Sequence, residues 1–237
     1  MTKKILITGA NGQLGHEMRN ALKGNNRFEC IFTDVAELDI CNAEAVKQII
    51  ADNHIDYIVN CAAYTQVDKA EDNAELCKKI NTDAVENLAR AAATYGARMI
   101  HISTDYVFNG RGYRPYTEDV VPDPQSVYGS TKLEGEKILT DICPESIIIR
   151  TAWLYSPYGN NFVKTMLHLG EEREELSVVA DQIGTPTCAA DLAQAILVIL
   201  QADTFVPGTY HFSDEGACSW YDFTVTIHRL AGITTCR

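Results

Sequence analysis

The chain has 237 residues, 46% of them hydrophobic and 22% charged, with a formal net charge of −12. A chain this long can bury its own core, and these fractions are ordinary for a globular protein, so disorder, a collagen-like fibre and a disulfide scaffold are excluded. The acidic surplus argues against nucleic acid or anionic membrane as a partner, while an anionic small ligand could still bind at a helix N-terminus.

The chain opens on Lys4–Thr8 (KILIT), a β-rich run ended by Gly9. Thr8 and Gly9 also cut the apolar stretch too short for a secretion signal. Gln13–Lys23 reads as a helix and Glu29–Thr33 (ECIFT) as a second strand. Ala43–Asn53 is helical, with Asn42 as its N-cap. Asp56–Cys61 (DYIVNC) is a third strand, and Asn73–Tyr95 a long, Ala-rich helix closed by Gly96. Arg98–Ser103 (RMIHIS) is a fourth strand, Ser126–Thr140 a helix and Ser146–Thr151 (SIIIRT) a fifth strand. Strands that are nearly continuous in apolar residues belong to a parallel sheet covered on both faces. The alternation predicts an α/β fold, a Rossmann-type doubly wound parallel sheet over residues 1–150.

Beyond Arg150 the glycines and prolines come closer together, at Pro157, Gly159, Gly170, Gly184 and Pro186. Residues 151–237 therefore read mainly as a smaller substrate-binding lobe, with helices near Phe162–Leu169, Ala190–Gln201 and Tyr221–Leu230. A ligand is expected between this lobe and the carboxyl ends of the strands. No apolar run is long enough to span a membrane. The eight cysteines include no C-x-x-C pair, so no structural zinc site is expected, and several sit in apolar runs. Unpaired, buried cysteines suit a reducing cytoplasm.

Gly9, Gly12 and Gly15 stand three apart between the first strand and the first helix. Gly9 permits a tight turn, Gly12 lets backbone N–H groups approach a pyrophosphate, and Gly15 allows close helix–strand packing. The context of strand, loop and helix is the one dinucleotide binding requires. Asp34 ends the second strand, 19 residues after Gly15. A carboxylate there binds the adenine ribose hydroxyls and disfavours a 2′-phosphate, which leans toward NADH; the plain alternative is a solvated loop carboxylate. Asp39 and Ile40 follow in the same segment.

Tyr128 and Lys132 are four apart on one predicted helical face. Reducing a carbonyl requires a proton at oxygen as hydride reaches carbon. A tyrosine titrates near 10, and a neighbouring ammonium lowers that value toward the working range. Ser103-Thr104-Asp105 closes the fourth strand at the expected ligand edge, where a hydroxyl can orient the carbonyl. His101 reads as a core histidine rather than a base, and Glu171–Glu175 as a solvated helix end.

Together, TGANGQLG, NCAAYTQVDKAE, STDYVFNG, YGSTKLEGE, RTAWLY and DQIGTPT resemble the extended short-chain dehydrogenase/reductase family over essentially the whole chain. Four of these segments are specific to the branch that reduces the C4 ketone of a dTDP-linked 4-dehydro-6-deoxy sugar with NADPH or NADH. The resemblance implies that Gly12, Gln13 and Leu14 hold the pyrophosphate and that Asp39 and Ile40 border the adenosine. It implies that Ala62, Ala63, Tyr64 and Thr65 line the cofactor. Thr104 and Tyr128 would bind the ketone, Tyr128 giving the proton, and Lys132 would hold the ribose and tune Tyr128. Asp105 would bond the sugar, Trp153 would pack on its ring, and Val67 would add apolar contact. Each has a plain alternative: Trp153 as a hinge-core aromatic, Asp105 as a strand-end cap, Val67 as simple packing.

Family members run some tens of residues past Arg237, and relatives carry a magnesium site and dimer contacts there. A Mg2+ site is therefore not locatable on this chain, and a homodimer is an expectation only. Two other readings use the same fold: a nucleotide-sugar epimerase or dehydratase, and a non-catalytic dinucleotide-binding regulatory subunit. Tyr106 stands where a dehydratase carries an additional acid, and an intact Thr104–Tyr128–Lys132 set argues against the regulatory subunit.

Overall fold

The computed structural model describes residues 2–236. β1 (Lys3–Thr8) leads through the glycine turn into α1 (Gln13–Ala21) and then β2 (Phe28–Thr33). α2 (Ala43–Asn53) follows, capped by the Asn42 side chain on the Ala45 N–H, and then β3 (Tyr57–Asn60). Next come two short helices, α3 (Val67–Asp72) and α4 (Ala74–Lys78). A π-helical turn at Lys79–Asp83 joins α4 to α5 (Ala84–Tyr95), which Gly96 closes in the left-handed conformation. The long helix expected from Asn73 to Tyr95 is thus present with one turn widened, and α3 was not foreseen. β4 (Arg98–Thr104) runs into a 3-10 turn at Asp105–Val107, and α6 (Val127–Ile142) leads to β5 (Ile147–Thr151).

The remaining chain holds β6 (Leu154–Tyr155), α7 (Phe162–Glu172), β7 (Ile183–Gly184), β8 (Thr187–Cys188), α8 (Ala189–Gln201), β9 (Gly208–His211), β10 (Cys218–Ser219) and α9 (Trp220–Ala231). The main sheet has six strands in the order β2-β1-β3-β4-β5-β9, all parallel. The sheet does not stop at residue 150, because β9 pairs with β5. The strand GTYH was not read from the sequence; only two of its residues are even partly buried, so it lacks the continuous apolar signature of the others.

The period-two alternation of the strands divides the core into two layers. Leu6, Ile58, Met99 and Ile148 face α2, α5 and α6, meeting Val46, Ile50, Leu88, Ala92 and Leu139. Ile5, Ile7, Val59, Ile100, Ile147 and Ile149 face α1 and α8, meeting Leu14, Met18, Leu192 and Ile196. Truncating one of these, such as Leu88→Ala, costs about 2–5 kcal/mol by the usual cavity argument. One polar cluster interrupts the apolar layer: Arg150 holds both carboxylate oxygens of Glu136, and Ser103 donates to the same carboxylate. All three are buried. Removing either charge strands the other and costs about 3–5 kcal/mol.

β2 and β3 leave β1 on opposite sides, so the sheet changes direction between β1 and β3. The crevice at the carboxyl ends of those strands is where a doubly wound sheet takes its ligand. Two small two-stranded sheets, β6 with β8 and β7 with β10, carry the lobe above it. Among the described residues, no helix is long and apolar enough to cross a membrane.

Candidate active site

The glycine turn sits at that switch point. Gly9 has φ +64°, and a Cβ there would lie 2.7 Å from the Ala62 backbone at the end of β3. Only glycine lets the two strand ends approach so closely. α1 has no side-chain cap and no acidic residue in its first turn. Its first N–H groups and positive dipole end are therefore free to meet an anion. Leu14 is buried, and the Gln13 side chain is committed elsewhere: its Oε1 accepts from Asn161 Nδ2 at 2.9 Å. What Gln13 can offer a pyrophosphate is thus its backbone N–H.

Asp34 lies against the same turn. Its Oδ2 accepts the Asn11 N–H at 2.9 Å and its Oδ1 the Val35 N–H at 2.8 Å. Asp39 is exposed and bonds the Cys41 N–H, whereas the Ile40 side chain is built into the core. Ile40 can border a ligand through its backbone alone.

The segment after β3 is clamped from an unforeseen direction. Asn81, in the π-helical turn, accepts the Tyr64 N–H at 2.8 Å and donates to the Tyr64 carbonyl at 3.1 Å. Ala62, Ala63 and Tyr64 are half-buried, and Thr65 is exposed. Tyr64 and Val67 pack with Tyr128, Ala70 and Cys77 in one apolar cluster. The strip of chain expected to line a cofactor thus also walls the expected acid.

Tyr128 enters from the first turn of α6, which Ser126 caps through the Gly129 N–H. Its ring meets Tyr106 edge-on, with centroids 5.5 Å apart. Burial raises its pKa, and Thr104 offsets part of that rise. Thr104 is buried at the end of β4 and also accepts the Tyr106 N–H, capping the 3-10 turn. Its hydroxyl lies 3.0 Å from Asp105 Oδ1. Burial pushes the Asp105 carboxyl up to about 6 against the bonds from Thr104 and backbone N–H groups.

Lys132 departs from the sequence expectation. It is on the Tyr128 face of α6, but its Nζ donates to the Ile102 carbonyl at 2.6 Å and lies 3.3 Å from His101 Nε2. It makes no hydrogen bond to Tyr128. Burial lowers its pKa to about 8, against the charge of Glu136 and Cys77. The expected lowering of the Tyr128 pKa by a nearby ammonium is accordingly absent, because burial dominates both groups.

Trp153 sits at the foot of the lobe in the left-handed region, with φ +49°. It stacks on Trp220 at 3.5 Å, within an aromatic group completed by Phe162, Phe223 and Tyr155. Gly184 leaves room for its indole. One face of Trp153 is thus covered by Trp220, and the residue remains half-buried. Sequence reading missed Asn60, Asn81 and the contact of His101 with Lys132. An Asn-Thr-Asp run inside an Ala-rich helix was the one available signal for Asn81.

The chain as a whole resembles known proteins. A family model described as the RmlD substrate binding domain matches residues 3–236. The chain is 44% identical to the dTDP-4-dehydrorhamnose reductase of Aggregatibacter actinomycetemcomitans, over 94% of this chain and 78% of that one. A solved dTDP-4-dehydrorhamnose reductase from Clostridium acetobutylicum superposes with TM-score 0.94 at 51% identity, over 99% of this chain and 82% of that one. Another, from Bacillus anthracis in complex with NADP, gives TM-score 0.95 at 43% identity, over 99% and 83%.

Proposed function

The chain belongs to the RmlD substrate-binding-domain family, and from that premise we propose that it uses NAD(P)H to reduce the C4 ketone of dTDP-4-dehydro-6-deoxy-L-mannose, giving dTDP-L-rhamnose. The observation that carries the reading is the placement of the buried Tyr128 ring against Tyr106, just past the carboxyl end of β4. It sets a proton donor two strands from the glycine turn, on the wall that Tyr64 and Val67 share.

The residues present fit a dinucleotide. Gly9 permits the close turn, and Gln13, Leu14 and Gly15 offer backbone N–H groups at an uncapped helix start, the Gly12 N–H being given to the Gly9 carbonyl. Asp34, Asp39 and the Ile40 backbone border the adenosine side, and Ala62, Ala63, Tyr64 and Thr65 the inner side. When bound, the reduced nicotinamide supplies hydride. Thr104 fixes the phenol of Tyr128 and shares the ketone oxygen with it, Tyr128 gives that oxygen its proton, and Asp105 accepts a hydrogen bond from the sugar. Lys132 orients the ribose, while Trp153 and Val67 supply apolar surface to the sugar.

The turn from Thr33 to Asn42 holds Asp34, Glu37 and Asp39 and no basic residue. That composition favours a free ribose 2′-OH and hence NADH over NADPH. Among the described residues, no group of three or more His, Cys, Asp or Glu side chains is gathered as a metal site. The side chains thus offer magnesium no such cluster, and no step is routed through it. Dimerisation is decided by sedimentation of the purified chain.

Absorbance at 340 nm with the dTDP-4-keto-6-deoxy sugar tests the reaction and ranks the two cofactors. Tyr128→Phe should lower kcat at least 100-fold, in the range of general-acid removal, with dinucleotide affinity nearly intact. Wild-type turnover in that variant would remove Tyr128 from the chemistry.

A further inference from the structure

Four buried side chains run in a line beneath the site: Thr8, Asn60, His101 and Lys132. The first three come from neighbouring strands β1, β3 and β4, and the last from α6. Thr8 Oγ1 donates to Asn60 Oδ1 at 2.6 Å. Asn60 Nδ2 meets His101 Nδ1 at 3.0 Å, and His101 Nε2 lies 3.3 Å from Lys132 Nζ.

The direction of this chain follows from its donors. Asn60 Oδ1 also accepts the Ala62 backbone N–H at 3.2 Å. Turning the amide over would set an NH2 against that N–H, which has no lone pair to offer. Asn60 therefore gives its hydrogen to His101 Nδ1. His101 is neutral, since burial and the charge of Lys132 hold its pKa well below the ordinary value. A neutral imidazole carries one N–H, and with Nδ1 accepting, that hydrogen is on Nε2. It points at Lys132. An ammonium has no lone pair to receive it, and an amine has one.

We propose that His101 is a positioning residue: locked by Asn60 as the Nε2–H tautomer, it donates to Lys132 and stabilises it as the neutral amine, setting the pH above which Lys132 loses its charge. The proposal rests on the reading that Lys132 serves hydride transfer. The other groups around Lys132 do not reverse it. Glu136, one turn further along α6, is already neutralised by Arg150 of β5. The Cys77 thiol of α4 is hydrogen bonded with Thr131, and Tyr128, one turn back, is a phenol that burial holds further from ionisation. What remains of the Glu136 charge pulls Lys132 toward ammonium, and burial outweighs it.

Long-range 1H–15N correlation on the full chain with 15N-labelled histidine reads the tautomer directly, with His101→Gln assigning the signal. The expected result is an Nε2–H imidazole at residue 101 that does not titrate between pH 6 and 9. An Nδ1–H tautomer or an imidazolium there overturns the proposal. Asn60→Asp supplies a second test. A carboxylate at that position accepts from Thr8, Ala62 and His101 Nδ1–H together, so Nε2 becomes an acceptor for the ammonium. The tautomer should reverse, and the alkaline limb of kcat/KM should move up by about one pH unit. A folded Asn60→Asp protein with an unmoved limb overturns the proposal. If that variant fails to fold, the wild-type tautomer still decides. The nuclear readout needs no substrate, so failure of the proposed reductase activity would leave it unaffected.

Discussion

Asp105 holds a carboxyl group whose pKa rises from 3.8 to about 6 on folding, chiefly through burial. A raised carboxyl binds its proton more tightly in the folded chain than in the unfolded one. The stability it contributes is complete below about pH 4 and is lost as pH rises through about 6. Asp105→Asn keeps the acceptor for Thr104 and removes the charge. Its Tm should equal or exceed that of the wild type at pH 7, and the gap should close as pH falls from 7 to 4. Calorimetry across that range checks it, and a gap independent of pH would mean the carboxyl is not perturbed. At this scale spacing alone placed the three glycines in one turn and Tyr128 and Lys132 on one helical face, though not the partners Lys132 takes. It was not readable where the partner lies on another strand. Nothing along the chain says that Asn60 and His101 stand side by side, because β3–β4 register puts them there.

The unit of architecture that shapes the site is the widened turn between α4 and α5. π-Helical turns inserted in α-helices recur at functional sites. Here the turn carries Asn81, which brackets both backbone groups of Tyr64 and directs its own carbonyl at α6. A Cβ on Gly135 would lie 2.3 Å from that carbonyl oxygen, which is backbone and cannot swing aside. Gly135→Ala should therefore push α6 outward, at a cost of about 1–3 kcal/mol in chemical denaturation. Because α6 also holds Tyr128 and Lys132, kcat/KM should fall with it. Normal stability in that variant would show that α6 can shift freely. The other elements were legible in proportion to their regularity. Strands buried on both faces announced themselves as apolar runs. α3, with VDKAED, and β9, with GTYH, bury too little to leave a pattern.

For the molecule as a whole, sheet and lobe also meet at the start of α1. Asn161 caps α7 through the Lys164 N–H and bonds Gln13 at the start of α1. His16 stacks on Tyr158 at 4.4 Å beside it. Asn161→Ala should cost about 1 kcal/mol as a lost cap. It also unties Gln13, so dinucleotide affinity should weaken while unfolding stays cooperative. Titration followed by fluorescence, with the wild type alongside, measures this; unchanged affinity would make the tie merely structural. Such contacts lay beyond sequence reading, since they join residues separated by 148 positions.

One feature of that joint reaches further. The chain leaves β5 at Thr151 and returns at Thr187, and the two hydroxyls lie 3.2 Å apart. The excursion between them begins and ends at almost one point on the rim of the sheet. An excursion of that kind can be exchanged for another sequence without altering the strand order of the six-stranded sheet. The excursion is thereby free to diverge at a different rate from the sheet that carries it, held to it chiefly where Asn161 meets Gln13.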